Sequence, residues 1–360
     1  MLCVGSRANV AVRQDGVWTH RGGGGLGYSL DTLLALGPDP ALAAFLSPTF
    51  PVWQEHQWYR ESSCESGALI DVDAKELLVF LNVDYDERCA YLDAYRRTWP
   101  GWNVRWAYNG IVDVTDALGL DRAVLTREAW DDTDLFRWGR PDPQEPPKLH
   151  YLITIEDAAY GLADNVVRPW ALGPAVLEQL VDLPRLSTWP EIPRGGMHVD
   201  PADHTVGVWS IDPVYGLVER CGERWPGWTV EFWHDRYAEQ QRRCAGTFRF
   251  PDPGPAVDLC GYAMAKRVVE HWICTTPQFL PHIPMRTSYD GTYGMRYAGL
   301  TVADLQRLGE LILGPDRDPN TELTVPDDWP PQWTAWLKAN DWCRPLDVAA
   351  YAREQLPFYL

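Results

Sequence analysis

The densest set of chemically active side chains lies in the stretch His198-Val199-Asp200-Pro201-Ala202-Asp203-His204. Two imidazoles and two carboxylates fall within seven residues there. His234 and Asp235 follow one strand-like run later. Imidazole with carboxylate suits either divalent-metal binding or general acid–base chemistry. If residues 198–200 are extended, His198 and Asp200 share one face, because strand side chains alternate. His198, Asp200, His204 and His234 are therefore the candidate catalytic residues. Their spacing matches no established metal motif, so the metal and any cofactor are left unassigned. The plain structural alternative is a polar turn with solvated histidines.

A second candidate is the glycine run Arg21-Gly22-Gly23-Gly24-Gly25-Leu26-Gly27. Gly22, Gly24 and Gly27 satisfy GxGxxG, and amides at a helix start can cradle phosphate. Four successive glycines meet that pattern almost automatically, and the run reads more simply as a flexible loop. Ser29 or Asp31 can cap the helix that follows. GxSxG, HExxH, Walker and EF-hand patterns are absent, and Ser6, Ser62 and Ser63 lack elbow glycines. The eight cysteines form no CxxC pair, which argues against a structural zinc site.

The elements that must position these residues are written in an internal repeat. Trp99-Pro100-Gly101-Trp102-Asn103-Val104 recurs as Trp225-Pro226-Gly227-Trp228-Thr229-Val230. Upstream, Gly67–Asp71 matches Gly196–Asp200, and Leu77–Phe80 matches Val206–Trp209. Helix-like stretches at 90–98 and 216–224 lie between these blocks. A weaker pair leads from Asn9–Val12 to Leu36-Gly37-Pro38, and from His150–Ile155 to Leu172-Gly173-Pro174. Asp71 and Asp200 each sit where one strand run turns into the next, which fits turn chemistry. The histidines at 198 and 204 belong to the second copy alone; Leu69 and Lys75 stand in the first.

The expected architecture is α+β: two tandem related units, each strand-helix-strand-strand-helix-strand, and a more helical C-terminal portion. The first unit spans 1–130 and the second 149–255. A proline- and charge-rich linker covers 131–148, and the helical portion covers 256–360. Within that portion, 258–272, 302–313 and 346–356 carry helical spacing, and Tyr289-Asp290-Gly291 suits a hairpin turn. Of the nineteen tryptophans, Trp99, Trp102, Trp106, Trp225, Trp228 and Trp233 read as core plugs. Trp329, Trp333, Trp336 and Trp342 read as core too, with a ligand or partner surface as the alternative.

Fifty acidic residues against 32 basic ones give a formal charge of −18. Such a field repels phosphate backbones and anionic lipid, which excludes sequence-independent nucleic-acid binding and membrane-surface binding. It favours a basic protein partner or a neutral small molecule. The first residues carry no signal-peptide pattern, and no apolar run is long enough to cross a bilayer. A cytoplasmic location follows as an expectation, and the excess of arginine over lysine with abundant Ala, Gly, Pro and Trp suggests a GC-rich bacterial origin. Two readings stay open. One is an acidic binding protein for a basic partner of the immunity type, or for an apolar or aromatic small molecule. The other is a small-metabolite hydrolase or lyase using the His/Asp cluster.

Overall fold

The computed structural model describes residues 6–47, 58–60, 63–122, 125, 149–163, 169–180, 183–188, 192–244, 248–275 and 302–315. The linker 131–148, the Tyr289–Gly291 turn, the 346–356 helix and Trp329, Trp333, Trp336 and Trp342 lie outside the described residues.

The fold is mixed α+β with two five-stranded sheets. The first is built from β1 (Ala8–Gln14), β2 (Val17–Gly23), β3 (Ser66–Asp71), β4 (Glu76–Phe80) and β5 (Asn103–Trp106). Its order is β2-β1-β3-β4-β5. Helices α1 (Leu30–Ala35) and α2 (Pro38–Phe45) connect β2 to β3, and α3 (Tyr85–Thr98) connects β4 to β5. The second sheet contains β6 (Leu149–Ile155), β7 (Ala158–Ala163), β8 (Gly195–Asp200), β9 (Thr205–Ser210) and β10 (Thr229–Phe232). Its order is β7-β6-β8-β9-β10. A 3-10 segment (Pro169–Ala175) and α5 (Val176–Gln179) precede β8, and α6 (Leu217–Arg224) precedes β10.

Across each sheet the pairings run antiparallel, parallel, antiparallel, parallel. α4 (Ile111–Ala117) starts five residues after β5 ends, and α7 (Tyr237–Arg243) starts five residues after β10 ends. Packing divides the chain into two units. The first holds β1–β5 with α1–α3, α8 (Gly254–Thr275) and α9 (Val302–Leu313); the second holds β6–β10, α5–α7 and the stretch Tyr108–Asp113.

Each unit has one strand more at its start than the sequence pattern predicts. β2 exists because Asp15 (φ 53) and Gly16 (φ 74) both take left-handed backbone, the twist a two-residue hairpin demands. The Asp73 carboxylate accepts both of their N–H groups at 2.8 Å. β2 therefore absorbs Gly22 and Gly23 of the glycine run, which the composition alone presents as loop. β7 is hidden for another reason: AAYGLA is small and poor in β-branched residues, and it is held by its ladder to β6.

In the second unit one sheet face packs Ile153, Met197, Val199, Val206 and Val208 against Trp170, Val176, Leu217, Cys221 and Trp225. The opposite face carries Leu152 and Ala159, packed with Cys244 and Phe248. In the first unit Val10, Val12, Ala68, Ile70, Leu77 and Val79 are buried. The helical layer there includes an ion pair from the buried Asp31 of α1 to the half-buried Arg267 of α8, whose Nη1 also donates to the Tyr91 hydroxyl of α3 at 2.8 Å. Arg97 of α3 closes the end of α9 by donating to the carbonyls of Leu311 and Ile312. Among the described residues, no helix is long and apolar enough to cross a membrane.

Candidate functional site

His198 sits in the middle of β8 and is buried, at 3 % exposure. Its Nδ1 lies 2.9 Å from the Thr154 hydroxyl on the neighbouring β6. Gln240, projecting from α7 and fully buried, donates through Nε2 to Thr154 Oγ1, to the Leu152 carbonyl and to the Met197 carbonyl at 2.8–3.1 Å. Its Oε1 accepts the Trp209 indole N–H at 2.6 Å. Trp209 gives its proton to Gln240 and Gln240 gives to Thr154, whose hydroxyl pairs with the imidazole Nδ1. Burial, followed by the nearby Arg243 guanidinium, pushes the His198 pKa down to about 4. At neutral pH it is an uncharged imidazole and a weak base.

Two glycines make the space. A Cβ on Gly196 would fall 2.1 Å from Gln240 Oε1, and one on Gly207 would enter the Trp233 ring. Trp233 donates its indole N–H to Glu231 and lies under the Arg243 guanidinium, 4.8 Å from the ring centroid. Arg243 bonds Glu231 and Glu239, so the charges around the histidine are paired with one another.

The other expected site residues lie elsewhere along the sheet. Asp200 ends β8, where its Oδ1 accepts the N–H groups of Ala202 and Asp203 as a turn-former. His204 (φ 49) is exposed in that turn, with its ring 5.1 Å from Trp228. His234 (φ 59) is exposed beyond the far end of β10, where its carbonyl accepts the Ser210 N–H and its ring packs on Tyr108 and Phe232. The run from His204 to Ser210 places the two histidines about 20 Å apart at strand rise. The fold therefore keeps His198 and Asp200 as neighbours on one strand, and sets His204 and His234 at opposite ends of the sheet. Among the described residues, no three His, Cys, Asp or Glu side chains converge as metal ligands.

The partners that define the environment of His198, Thr154 and Gln240, carried no sequence signal as site residues. Register supplies one in retrospect. Thr154 pairs with His198 as Ala11 pairs with Leu69, and Gly196 pairs with Trp209 as Gly67 pairs with Phe80. Gln240 holds the position in α7 that Val114 holds in α4. The second sheet is polar where the first is apolar.

The first sheet has its own buried polar group on the glycine side. Asn9 Oδ1 lies 3.0 Å from His20 Nε2, and Asn9 Nδ2 donates to the Tyr59 carbonyl and to Cys64 Sγ. His20 stacks on Trp58 at 4.3 Å. Cysteine, histidine and asparagine are the residue types of a thiol hydrolase, yet here asparagine stands between the other two. Burial pushes the Cys64 thiol up to about 12. Cys221 is likewise pushed to about 12 by burial. Neither supplies a thiolate at neutral pH. The glycine run ends in a 3-10 turn (Leu26–Tyr28), and Gly27 is pressed against Ser6, whose carbonyl takes the Gly27 N–H at 3.0 Å. No protein-family model matches this chain, and neither does any curated protein or solved structure.

Proposed function

We propose that the chain is an acidic cytoplasmic binding protein, built from two copies of one α+β module, which engages a basic protein partner through the turn end of its second sheet. The carrying observation is a row of carboxylates. Glu156 and Asp157 in the β6–β7 turn and Asp203 in the β8–β9 turn are exposed, and Asp200 is half-buried between them. The Glu156 N–H bonds the Val199 carbonyl at 3.3 Å, which brings the two turns side by side. No lysine or arginine lies in either turn. Trp228, half-buried beside His204, borders the same end. Carboxylates flanked by an indole complement lysine and arginine side chains in charge and in stacking. The overall charge of −18 extends that attraction beyond contact distance.

The two-copy part of the reading is supported by the matched strand order and polarity, and by the matched places of α4 and α7. The enzyme reading draws on four residues of which His198 is buried on its strand, Asp200 ends that strand, His204 lies in the turn that follows, and His234 lies at the opposite end of the sheet, and nothing specific favours it. The tryptophans that an apolar or aromatic ligand would use, Trp329, Trp333, Trp336 and Trp342, lie outside the described residues.

The test compares the full chain with a Glu156→Gln/Asp157→Asn/Asp203→Asn variant for binding to a lysine- and arginine-rich peptide, across a salt series. The expected result is salt-sensitive binding by the parent and a loss of about tenfold or more in the variant, with unchanged melting. Equal binding by both proteins, or none by the parent at low salt, overturns the proposal.

A further inference from the structure

We infer that the Trp209–Gln240–Thr154–His198 chain is an acid-sensitive latch, in which proton uptake by His198 releases α7 from the second sheet while the first unit stays folded. The inference does not depend on the identity of any partner.

The geometry gives the latch its shape. Gln240 is the fully buried polar side chain of α7, and it reaches three strands at once: β6 through Leu152 and Thr154, β8 through Met197, and β9 through Trp209. Its carboxamide fits the notch left by Gly196. At the corresponding positions the first unit carries Phe80, Val114, Ala11 and Leu69, all buried and none titratable. The second unit has thus placed a proton-accepting nitrogen under its helix where an apolar group also suits the fold.

Protonation changes the hydrogen bonding in a definite direction. In the neutral ring with its proton on Nε2, Nδ1 accepts the Thr154 proton. A proton on Nδ1 makes it a donor, so the Thr154 hydroxyl must turn away. Its other acceptor is the Met197 carbonyl at 3.5 Å, which Gln240 already holds at 2.8 Å. The Thr154 oxygen then accepts from both Gln240 and the ring, and keeps only that longer, shared contact for its own proton, inside the protein where weakened polar pairing is costly. The charged groups that face His198 are Arg243 and Glu239 on α7 and Asp200 on β8. Arg243 opposes the new cation, and it is itself engaged by Glu231 of β10 and by Glu239.

Direction follows from linkage. The folded protein holds His198 at about 4 against an unperturbed value of 6.5. Its stabilising share is therefore whole above pH 6.5 and is lost as pH falls toward 4. The full gap corresponds to a shift of about 300-fold in the opening equilibrium.

The experiment is amide hydrogen exchange on the full chain over that pH range, with base-catalysed exchange corrected for, in parallel with NMR titration of the His198 ring. In the parent, α7 amides are expected to lose protection progressively between pH 6.5 and 4 while those of β1 and β3 keep theirs. The His198→Leu variant, which installs the first unit's residue, is expected to hold α7 protection across the range. A His198 ring that titrates near 6.5, or α7 protection that follows β1 and β3 in the parent, overturns the inference. Both of those readings use the parent protein alone, so they decide the matter even if the variant fails to fold.

Discussion

The indole N–H of Trp225 donates to the carbonyl of Trp170 over 2.7 Å, deep in the second unit. Trp99 does the same to Leu34, also at 2.7 Å, in the first. In both cases the acceptor lies three residues before the glycine of a Leu-Gly-Pro turn, Gly173 or Gly37. Both tryptophans end a helix with nearly the same backbone, φ −112 and −115 with ψ 62. Each is met edge-on by the second tryptophan of its WPGW run, at 4.8 and 5.1 Å. The motif pins the end of a helix to an earlier turn of the chain, and its two tryptophans divide the work: the first is a buried bolt, the second its half-exposed cover.

Removing the bolt's polar end while keeping an aromatic ring isolates that bond. Trp99→Phe and Trp225→Phe are each expected to destabilise their unit by about 2–3 kcal/mol, from an unmet buried carbonyl and lost ring volume. Trp102→Phe and Trp228→Phe remove no hydrogen bond of this kind and are expected to cost under about 1 kcal/mol. Urea unfolding midpoints check both. Equal losses at the two positions of a motif would mean that the indole bond contributes nothing.

The glycines of the two motifs separate backbone strain from crowding. Gly101 and Gly227 have φ near +80 and open space around a built Cβ. Gly37 (φ 89) and Gly173 (φ 64) would place a Cβ 2.7 and 2.3 Å from the carbonyl oxygens of Thr98 and Arg224. Alanine at 101 or 227 is expected to cost about 1–2 kcal/mol for the left-handed backbone alone. Alanine at 37 or 173 adds a backbone collision and is expected to cost more, with the helix end displaced. Thermal melts of the four single variants rank them, and a rank order that mixes the pairs would refute this packing.

Much of this scaffold is legible in the chain, and the reasons for the remainder are physical. The helix at 302–313 and the helical stretches before each WPGW run stand out by periodicity, because their apolar faces are local. Asp71 and Asp200 can be read as turn-formers because each carries an Oδ1 that accepts from N–H groups only two or three residues ahead; the ion pair of Asp71 Oδ2 with the distant Arg13 is not legible in the same way. β2 and β7 stay hidden because a glycine-rich or alanine-rich strand is defined by its neighbour rather than by its own composition. The setting of His198 stays hidden for the same reason: Thr154 and Gln240 are 44 residues before it and 42 after it. The sequence cluster joins His198 to His204 by closeness along the chain, whereas the sheet spreads that closeness over strand and turn.

The polar group around His198 offers a direct exchange between the units. Gln240→Val alone leaves the Trp209 indole N–H and the Thr154 hydroxyl short of a partner in the interior, and is expected to cost about 2–4 kcal/mol. Combining it with Thr154→Ala and His198→Leu installs the residues that the first unit carries at the same register. The triple variant is expected to recover part of the loss, because an apolar set leaves fewer unmet groups than a broken polar one. Chemical denaturation of the single and triple variants measures the recovery. Strict additivity of the three changes would show that these side chains do not act together.

Asp31 and Arg267 give a parallel case in the first unit. Asp31 is 5 % exposed, and its Oδ1 has no hydrogen-bond partner while Oδ2 holds the guanidinium. Removing the cation by Arg267→Met leaves a buried carboxylate without its counter-charge and is expected to cost about 2–3 kcal/mol, below the figure for a fully buried pair because the arginine is half-buried. Replacing both partners, as Asp31→Leu/Arg267→Met, removes the charge along with its need and is expected to restore most of that stability. Because the pair joins α1 to α8, the single variant is also expected to expose α8 to proteolysis before the sheet unfolds. Limited proteolysis followed by mass mapping distinguishes the outcomes. If the single and double variants are equally weakened, the loss comes from packing of the arginine stem on α3 rather than from the ion pair, and the pair is not what fastens α8 to the first unit.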